Sequence, residues 1–367
     1  MKYINKDKKF EIKRYPKTNN TSLLPWNSSE EHILNYLHDN NLLSSQSGIL
    51  IINDRFGFLS CLLSENNPNV IIEQESQKKS ISENYKLNSL NLDNLKFLTP
   101  LEKSSQIIDL ILLKIPKSND LFKLYLNQII DNIDENTTVV CGFMTKHFNN
   151  QLIDIAKLYF EDISQSLAWK KSRLLILRKP IKTEKSSIVN TFRTIDDDEI
   201  SQYYGVFSSN KIDRGTEFLL NKLKVLESES TILDLGSGNG IIAKSLQKQS
   251  ADSEIHLIDD SILAIESAKM NIKGDNVFFH CDDTLKSFEN KKFDLIVCNP
   301  PFHFGYETNI EISIGLFKES KAKLNSDGRF VLVANTHLNY GTHLSKIFNN
   351  HRLLSSNLKY QIHECKN

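Results

Sequence analysis

The tetrapeptide Asn299-Pro300-Pro301-Phe302 directly follows an apolar run, Phe293-Asp294-Leu295-Ile296-Val297-Cys298. Two prolines after a buried strand remove ladder donors and fix the backbone, which is costly in a mere connector. The residue types suit a reaction at a planar nitrogen. An exocyclic or amide nitrogen gives its lone pair to a ring or carbonyl and is a poor nucleophile. The side-chain oxygen of Asn299 and the carbonyl of Pro300 can each accept one of its N–H groups. Both hydrogens are then held and the lone pair is aimed, so the chemistry rests on positioning and preorganised dipoles. Phe302 offers a face on which an extruded base can stack.

A second constellation precedes this one. Thr231-Ile232-Leu233-Asp234-Leu235 leads into Gly236-Ser237-Gly238-Asn239-Gly240 and an apolar-periodic stretch from Ile241 to Leu246. That is strand, glycine turn, helix, an arrangement that lets a ligand lie on a helix N-terminus. Glu254-Ile255-His256-Leu257-Ile258 reads as the next strand, ending at Asp259, where a carboxylate can accept both hydroxyls of a ribose. Asn276 to His280 and Arg329 to Ala334 supply two further strands, the former running into Asp282-Asp283. Strands alternating with helical stretches predict an α/β, doubly wound parallel sheet with its ligand at the strand C-termini.

The first half repeats this pattern at an offset of about 185 residues. Gly48-Ile49-Leu50-Ile51-Ile52-Asn53-Asp54-Arg55-Phe56-Gly57 takes the place of the glycine turn, and Asn69 to Glu73 that of the strand ending in Asp259. Asp109 falls on Asp294 and Lys114 on Asn299, while Thr138 to Gly142 parallels the later strand. The chemistry is missing from this copy. Isoleucine stands where Asp234 does, two glycines are gone, and the proline motif has become Lys114-Ile115-Pro116-Lys117. The bulky Arg55-Phe56 pair is expected to fill the space a cofactor needs. Trp169 to Lys185 carries seven basic residues and one acid. It reads equally as a solvated linker and as a phosphate-contacting, base-stacking segment. The expected division is residues 1–182, a linker over 183–202, and a second domain over 203–367.

With 45 basic and 45 acidic side chains and 40% hydrophobic residues, the 367-residue chain has an ordinary globular composition. Disorder, collagen-like repeats and a strongly cationic nucleic-acid glue are excluded on these numbers. No run approaches the ~18–20 apolar residues of a membrane span, and the polar, Lys-rich start lacks the apolar core of a signal peptide. Five cysteines without CxxC spacing argue against a disulfide framework or a zinc site, so a cytoplasmic compartment and no metal are expected.

The acid before a GxGxG turn resembles motif I of class I S-adenosylmethionine-dependent methyltransferases, and Asn299-Pro300-Pro301-Phe302 resembles their signature for planar nitrogens. A degenerate first copy, the segment Gly205-Val206-Phe207-Ser208 running to Asp213-Arg214-Gly215-Thr216, and Val333 to Tyr340 together resemble the RsmC/RlmG family of ribosomal RNA guanine-N2 methyltransferases. The resemblance covers nearly the whole chain. It implies two Rossmann-like class I methyltransferase domains in tandem, the N-terminal one degenerate, with S-adenosyl-L-methionine as cofactor. Asp234, Gly236, Ser237, Gly238, Asn239 and Gly240 are then expected at its methionine end with Thr216, Asp259 at the ribose, and Asp283 or Asp282 at the adenine amine. Asn299, Pro300, Pro301 and Phe302 are the expected catalytic set. Phe302, His303, Lys170, Lys171 and Arg173 are expected to contact substrate, although a solvated loop histidine reads equally well at His303. Arg14-Tyr15-Pro16 and Leu167 to Lys171 resemble the branch acting on protein-free 23S rRNA as a monomer. Methylation of 16S rRNA is the alternative, with a protein glutamine-N5 methyltransferase or a non-catalytic RNA-binding assembly factor further off.

Overall fold

Two seven-stranded sheets, one in each half of the chain, share a single strand order. The computed structural model describes residues 1–367 except 6, 7, 19, 21, 45, 183–185, 196, 209, 301, 302, 305, 306 and 309. It divides into one unit over Met1–Ile188 and another over Val189–Asn367.

The first unit opens with a hairpin of β1 (Lys2–Asn5) and β2 (Lys8–Glu11), then α1 (Ser28–Asp39). There follow β3 (Ile49–Ile52), α2 (Phe58–Leu62), β4 (Asn69–Ile71), α3 (Glu75–Leu87), β5 (Lys96–Leu98), β6 (Leu110–Lys114) and α4 (Asn119–Ile129). The unit ends with β7 (Thr138–Met144), α5 (Gln151–Lys157), β8 (Phe160–Gln165) and β9 (Ser172–Pro180). The sheet runs β5-β4-β3-β6-β7-β9-β8, parallel except for β9.

The second unit repeats the plan. A hairpin of β10 (Val189–Arg193) and β11 (Glu199–Tyr203) precedes α6 (Arg214–Leu220). Then come β12 (Thr231–Leu235), α7 (Ile241–Gln249), β13 (Glu254–Asp259), α8 (Ile262–Asn271), β14 (Val277–Cys281) and β15 (Phe293–Cys298). A short pair, β16 (His303–Phe304) and β17 (Glu307–Thr308), leads to α9 (Ile310–Lys323), β18 (Leu324–Asn335), α10 (Tyr340–Ile347), β19 (Asn350–Ser356) and β20 (Tyr360–Lys366). The sheet order is β14-β13-β12-β15-β18-β20-β19, with β20 antiparallel to its neighbours.

The sheet is buried on both faces, as parallel sheets are. Side chains alternate between faces along a strand, so Ile232, Leu295 and Val297 pack with Leu246 and Ala268, whereas Leu233, Ile296 and Cys298 pack with Phe317 and Tyr340. The same alternation sends Asp234 toward α7. Strand order reverses beside β12, and the crevice at the C-terminal ends of β12 and β15 is the expected ligand site of such a sheet.

Two expectations change here. The stretch read as a linker, 183–202, holds all but the last residue of the β10–β11 hairpin, which begins at Val189 and packs on α8 through Asn271, whose side chain pairs with both backbone groups of Ser201. Its period-2 pattern is weak, because only Ile200 and Gln202 are buried. The basic stretch from Trp169 is not a solvated linker over its first part: it is the β8–β9 turn and β9 of the first unit, with Leu174, Leu175 and Leu177 in the core.

Candidate active site

The turn after β12 is built for a ligand to approach its backbone. Gly236, Gly238 and Gly240 have φ of 71°, 54° and 78°. A Cβ placed on Gly238 would meet nothing within 4 Å, so this glycine faces open space, whereas one on Gly240 would press on Ala268 of α8 at 3.0 Å. Gly238 therefore serves approach from outside and Gly240 serves packing. Asp259 ties the turn down by accepting the N–H of Gly238 at 2.9 Å with one oxygen and that of Ser261 at 2.9 Å with the other.

Asp234 is wholly buried. Its Oδ2 accepts the N–H of Ala243, in the first turn of α7, at 3.0 Å, while Oδ1 has no partner among the described residues. The hydroxyl of Ser237 is likewise buried and unpartnered. Burial pushes the Asp234 carboxyl up to about 7, with Asp259 adding to the shift. Asp259, half-buried by exposure, is pushed up to about 6 by burial against the two N–H groups that favour its charged form. Two buried polar atoms without protein partners beside an open glycine are what a polar, cationic ligand end needs. The residues present fit the methionine end of S-adenosylmethionine.

Asn239 and Thr216, both expected at the cofactor, have other partners. Asn239 donates to Gln202 Oε1 at 2.6 Å and accepts from the N–H of Ile241. Gln202 in turn donates to the carbonyl of Val206 at 3.1 Å. Asn239 thus ties the hairpin to the turn through its side chain. The hydroxyl of Thr216 accepts from Asn299 Nδ2 at 2.9 Å. Asp282 and Asp283 follow β14, and Asp282 accepts the N–H of Thr284 at 3.2 Å in a turn of its own.

Asn299 follows β15 and faces the first turn of α6. Its Nδ2 donates to Thr216 and, at 3.2 Å, to Oδ2 of Asp213, the residue that caps α6 by accepting the N–H groups of Gly215 and Thr216. Asn299 and Pro300 line a cavity of about 240 Å³ together with Phe207, Asp213, Asn335, Lys359 and Tyr360. Asn335, Lys359 and Tyr360 carry no sequence signal for a site role, and Phe207 and Asp213 stand out only as members of the segment that leads to Thr216. No local spacing marks these residues: the end of β18, the β19–β20 turn and the segment before α6 converge only once the sheet has formed. Pro301 and Phe302 lie outside the described residues, and so does the side chain of His303.

Lys170, Lys171 and Arg173 belong to the first unit. All three are exposed on the β8–β9 turn and the start of β9, with Lys170 Nζ 4.4 Å from the centre of the Trp169 ring and 3.3 Å from Glu31. Lys114, which the repeat places on Asn299, donates to the buried Glu30 at 2.8 Å. No cluster of three or more metal-ligating side chains occurs among the described residues, and no described helix is long and apolar enough to cross a membrane.

Comparison with known proteins agrees with this geometry. Residues 1–183 match the RLMG N-terminal domain and residues 198–364 the methyltransferase small domain. Ribosomal RNA large subunit methyltransferase G of Colwellia psychrerythraea is 32% identical, over 98% of this chain and 97% of its own. The protein of the same name from Aliivibrio fischeri is 28% identical over 98% and 96%. Among solved structures, the T. thermophilus 16S rRNA N2 G1207 methyltransferase RsmC, in complex with AdoMet and guanosine, shares the fold at a TM-score of 0.78 and 17% identity. That match covers 100% of this chain and 97% of the other. The chain belongs to the family of ribosomal RNA large subunit methyltransferase G.

Proposed function

We propose that this chain transfers a methyl group from S-adenosyl-L-methionine to the exocyclic N2 of one guanine in 23S rRNA. The observation that carries the reading is the cavity at Asn299. A strand-end amide and a proline carbonyl stand in its wall beside two aromatic side chains, Phe207 and Tyr360, and two polar ones, Asn335 and Lys359. A flat base with hydrogen-bonding edges, taken out of its stack, matches that lining.

Bound at the turn after β12, the cofactor supplies an electrophilic methyl on a sulfonium. Asp234 and the 236–240 backbone hold its methionine end, Asp259 accepts from the ribose hydroxyls, and Asp283 or Asp282 takes the adenine amine. Asn299 Oδ1 and the Pro300 carbonyl each accept one hydrogen of the guanine N2, which fixes the lone pair along one direction. Phe302 stacks on the base and His303 borders it. Transfer leaves a proton on the nitrogen, and these two acceptors hold it until solvent takes it. The first unit docks RNA, with Lys170, Lys171 and Arg173 on phosphates and Trp169 as a stacking face. The enzyme acts in the cytoplasm as a monomer on protein-free RNA.

The test is methyl transfer from labelled cofactor to 23S and 16S rRNA from cells lacking the gene, read by nucleoside mass spectrometry and site mapping. N2-methylguanine confined to one position of 23S rRNA is expected. Label on 16S rRNA alone would move the target to the small subunit, and label on a peptide glutamine alone would replace RNA as the substrate.

A further inference from the structure

We propose that Asp213 is a positioning residue for the reaction: it sets which way the Asn299 amide points. The inference rests on the reading of Asn299 as the acceptor for the target nitrogen. An amide can present either its oxygen or its NH₂ to a pocket, and only the oxygen can hold the N–H of an exocyclic amine. A carboxylate can only accept, so the atom of Asn299 that lies 3.2 Å from Asp213 Oδ2 must be the nitrogen. The Thr216 hydroxyl accepts the second hydrogen at 2.9 Å. With both N–H groups engaged behind it, Oδ1 is the part of the amide that faces the cavity.

Asp213 is itself fixed. The same Oδ2 accepts the N–H groups of Gly215 at 2.8 Å and Thr216 at 2.9 Å, so the carboxylate is locked to the start of α6. Gly215 leaves room for it: a Cβ there would stand 2.9 Å from Oδ2 and 3.1 Å from the ring of Tyr360. Asp213 also lines the cavity. Its charge there opposes an inverted Asn299, because a carbonyl oxygen turned toward it would meet a carboxylate. The rigid start of the helix thus selects one of two amide orientations before substrate arrives, a small displacement that governs turnover.

The experiment is a double-mutant cycle on the full chain with methyl transfer, cofactor affinity by calorimetry, and unfolding temperature as readouts. Asp213→Ala is expected to lower kcat about 10- to 100-fold while KM for RNA and affinity for S-adenosylhomocysteine stay within about twofold. Asp213→Asn, which keeps an accepting oxygen, is expected to recover most of the lost turnover. In an Asn299→Ala background, Asp213→Ala is expected to lower turnover no further. Should Asp213→Ala fail to fold, Thr216→Val removes the other acceptor and leaves the cap, and the same cycle with Asn299→Ala applies. Additive losses, a fall in cofactor affinity that accounts for the lost activity, or no loss at all would overturn the role. Wild-type turnover in Asn299→Ala itself would instead remove the functional reading on which the inference rests, so the two failures are told apart.

Discussion

In each half of the molecule, the residue that closes the fourth parallel strand reaches the third residue of the helix before the sheet. In the second half Asn299 donates to Thr216; in the first, Lys114 donates to Glu30. The correspondence extends well beyond this pair. Gly57 and Gly240 start α2 and α7 with φ of 79° and 78°. Asn84 of α3 and Asn271 of α8 each donate to a turn carbonyl, that of Phe56 or of Asn239, and each pairs with both backbone groups of one residue N-terminal to the sheet, Lys13 just past β2 or Ser201 within β11. Asp109 and Asp294 hold the approach to β3 and β12. What differs is the acid. Asp234 lies within β12 and leaves one oxygen unpartnered, whereas Asp54 sits past the end of β3 and has both oxygens satisfied by the N–H groups of Phe58 and Ser60 and the Ser60 hydroxyl. The first half keeps the scaffold and closes, with its own side chains, the places where the second half leaves polar atoms open.

If that contrast is what separates a binding site from a filled one, importing a single residue should convert one into the other. Gly238→Arg, which puts the Arg55 side chain at the matching position, should abolish S-adenosylhomocysteine binding by calorimetry. The left-handed backbone at φ 54° adds a strain of about 1–2 kcal/mol to the unfolding balance. Retained affinity would mean that the open space at Gly238 is not where the cofactor lies. Next in size is Asn299→Ala, with an expected fall in turnover of about 10²- to 10³-fold and unchanged cofactor affinity. The pair Asn299→Lys with Thr216→Glu, which imports the first half's ion pair, should be equally inactive yet folded.

Much of this contrast is legible in the residues alone, because it depends on short spacings. The turn from Asp234 to Gly240, the strand-end Asp259 and Asn299-Pro300 are contiguous signals, and the alignment of Asp109 with Asp294 and Lys114 with Asn299 follows from them. The hairpins were not legible. β10–β11 and β1–β2 are short, mostly exposed and held by asparagines about 70 residues away, Asn271 of α8 for the former and Asn84 of α3 with Asn88 just past it for the latter, so neither shows a hydrophobic period. The antiparallel strands β8, β9, β19 and β20 carry no motif either, and with them went the position of Trp169 and the whole Lys359–Tyr360 side of the cavity. Asn239 and Thr216 stand at their expected motif positions, but their side-chain partners, Gln202 and Asn299, come from distant segments that no local spacing reveals.

The ion pair of the first half offers a sharper test of what filling the site does. Glu30 is 1% exposed and one of its oxygens has no partner among the described residues, so it depends on Lys114, whose own side chain is 23% exposed. Burial raises the Glu30 carboxyl and Lys114 holds it back. Lys114→Met should destabilise the first unit by about 3 kcal/mol, the low end for breaking a buried pair, and lower its melting temperature by about 6–12 °C. Lys114→Met with Glu30→Met should recover most of the loss, since a buried pair and its apolar replacement are often similar in stability. A double variant as unstable as the single one would show that the pair does more than fill space.

The smallest expected effect lies in protons, and it separates Asp234 from Asp54 most directly. Without ligand, Asp234 is raised to about 7 from an unfolded value near 4, so the folded state holds its proton more tightly than the unfolded chain does. Stability from this group is therefore greatest at low pH and falls as pH rises from about 4 toward 7. A ligand that donates to the unpartnered Oδ1 favours the ionised form and reverses the shift. Binding of S-adenosylhomocysteine should then release up to about one proton per chain near pH 6–7, and affinity should rise with pH through that window. Calorimetry in two buffers of different ionisation enthalpy measures the release, and Asp234→Asn should abolish most of it. Asp54, with both oxygens already bonded inside the protein, has no open place for a donor, and Asp54→Asn should leave the release unchanged. Equal effects from the two aspartates would show that the open oxygen, the one feature that most distinguishes the two halves, is not where the ligand binds.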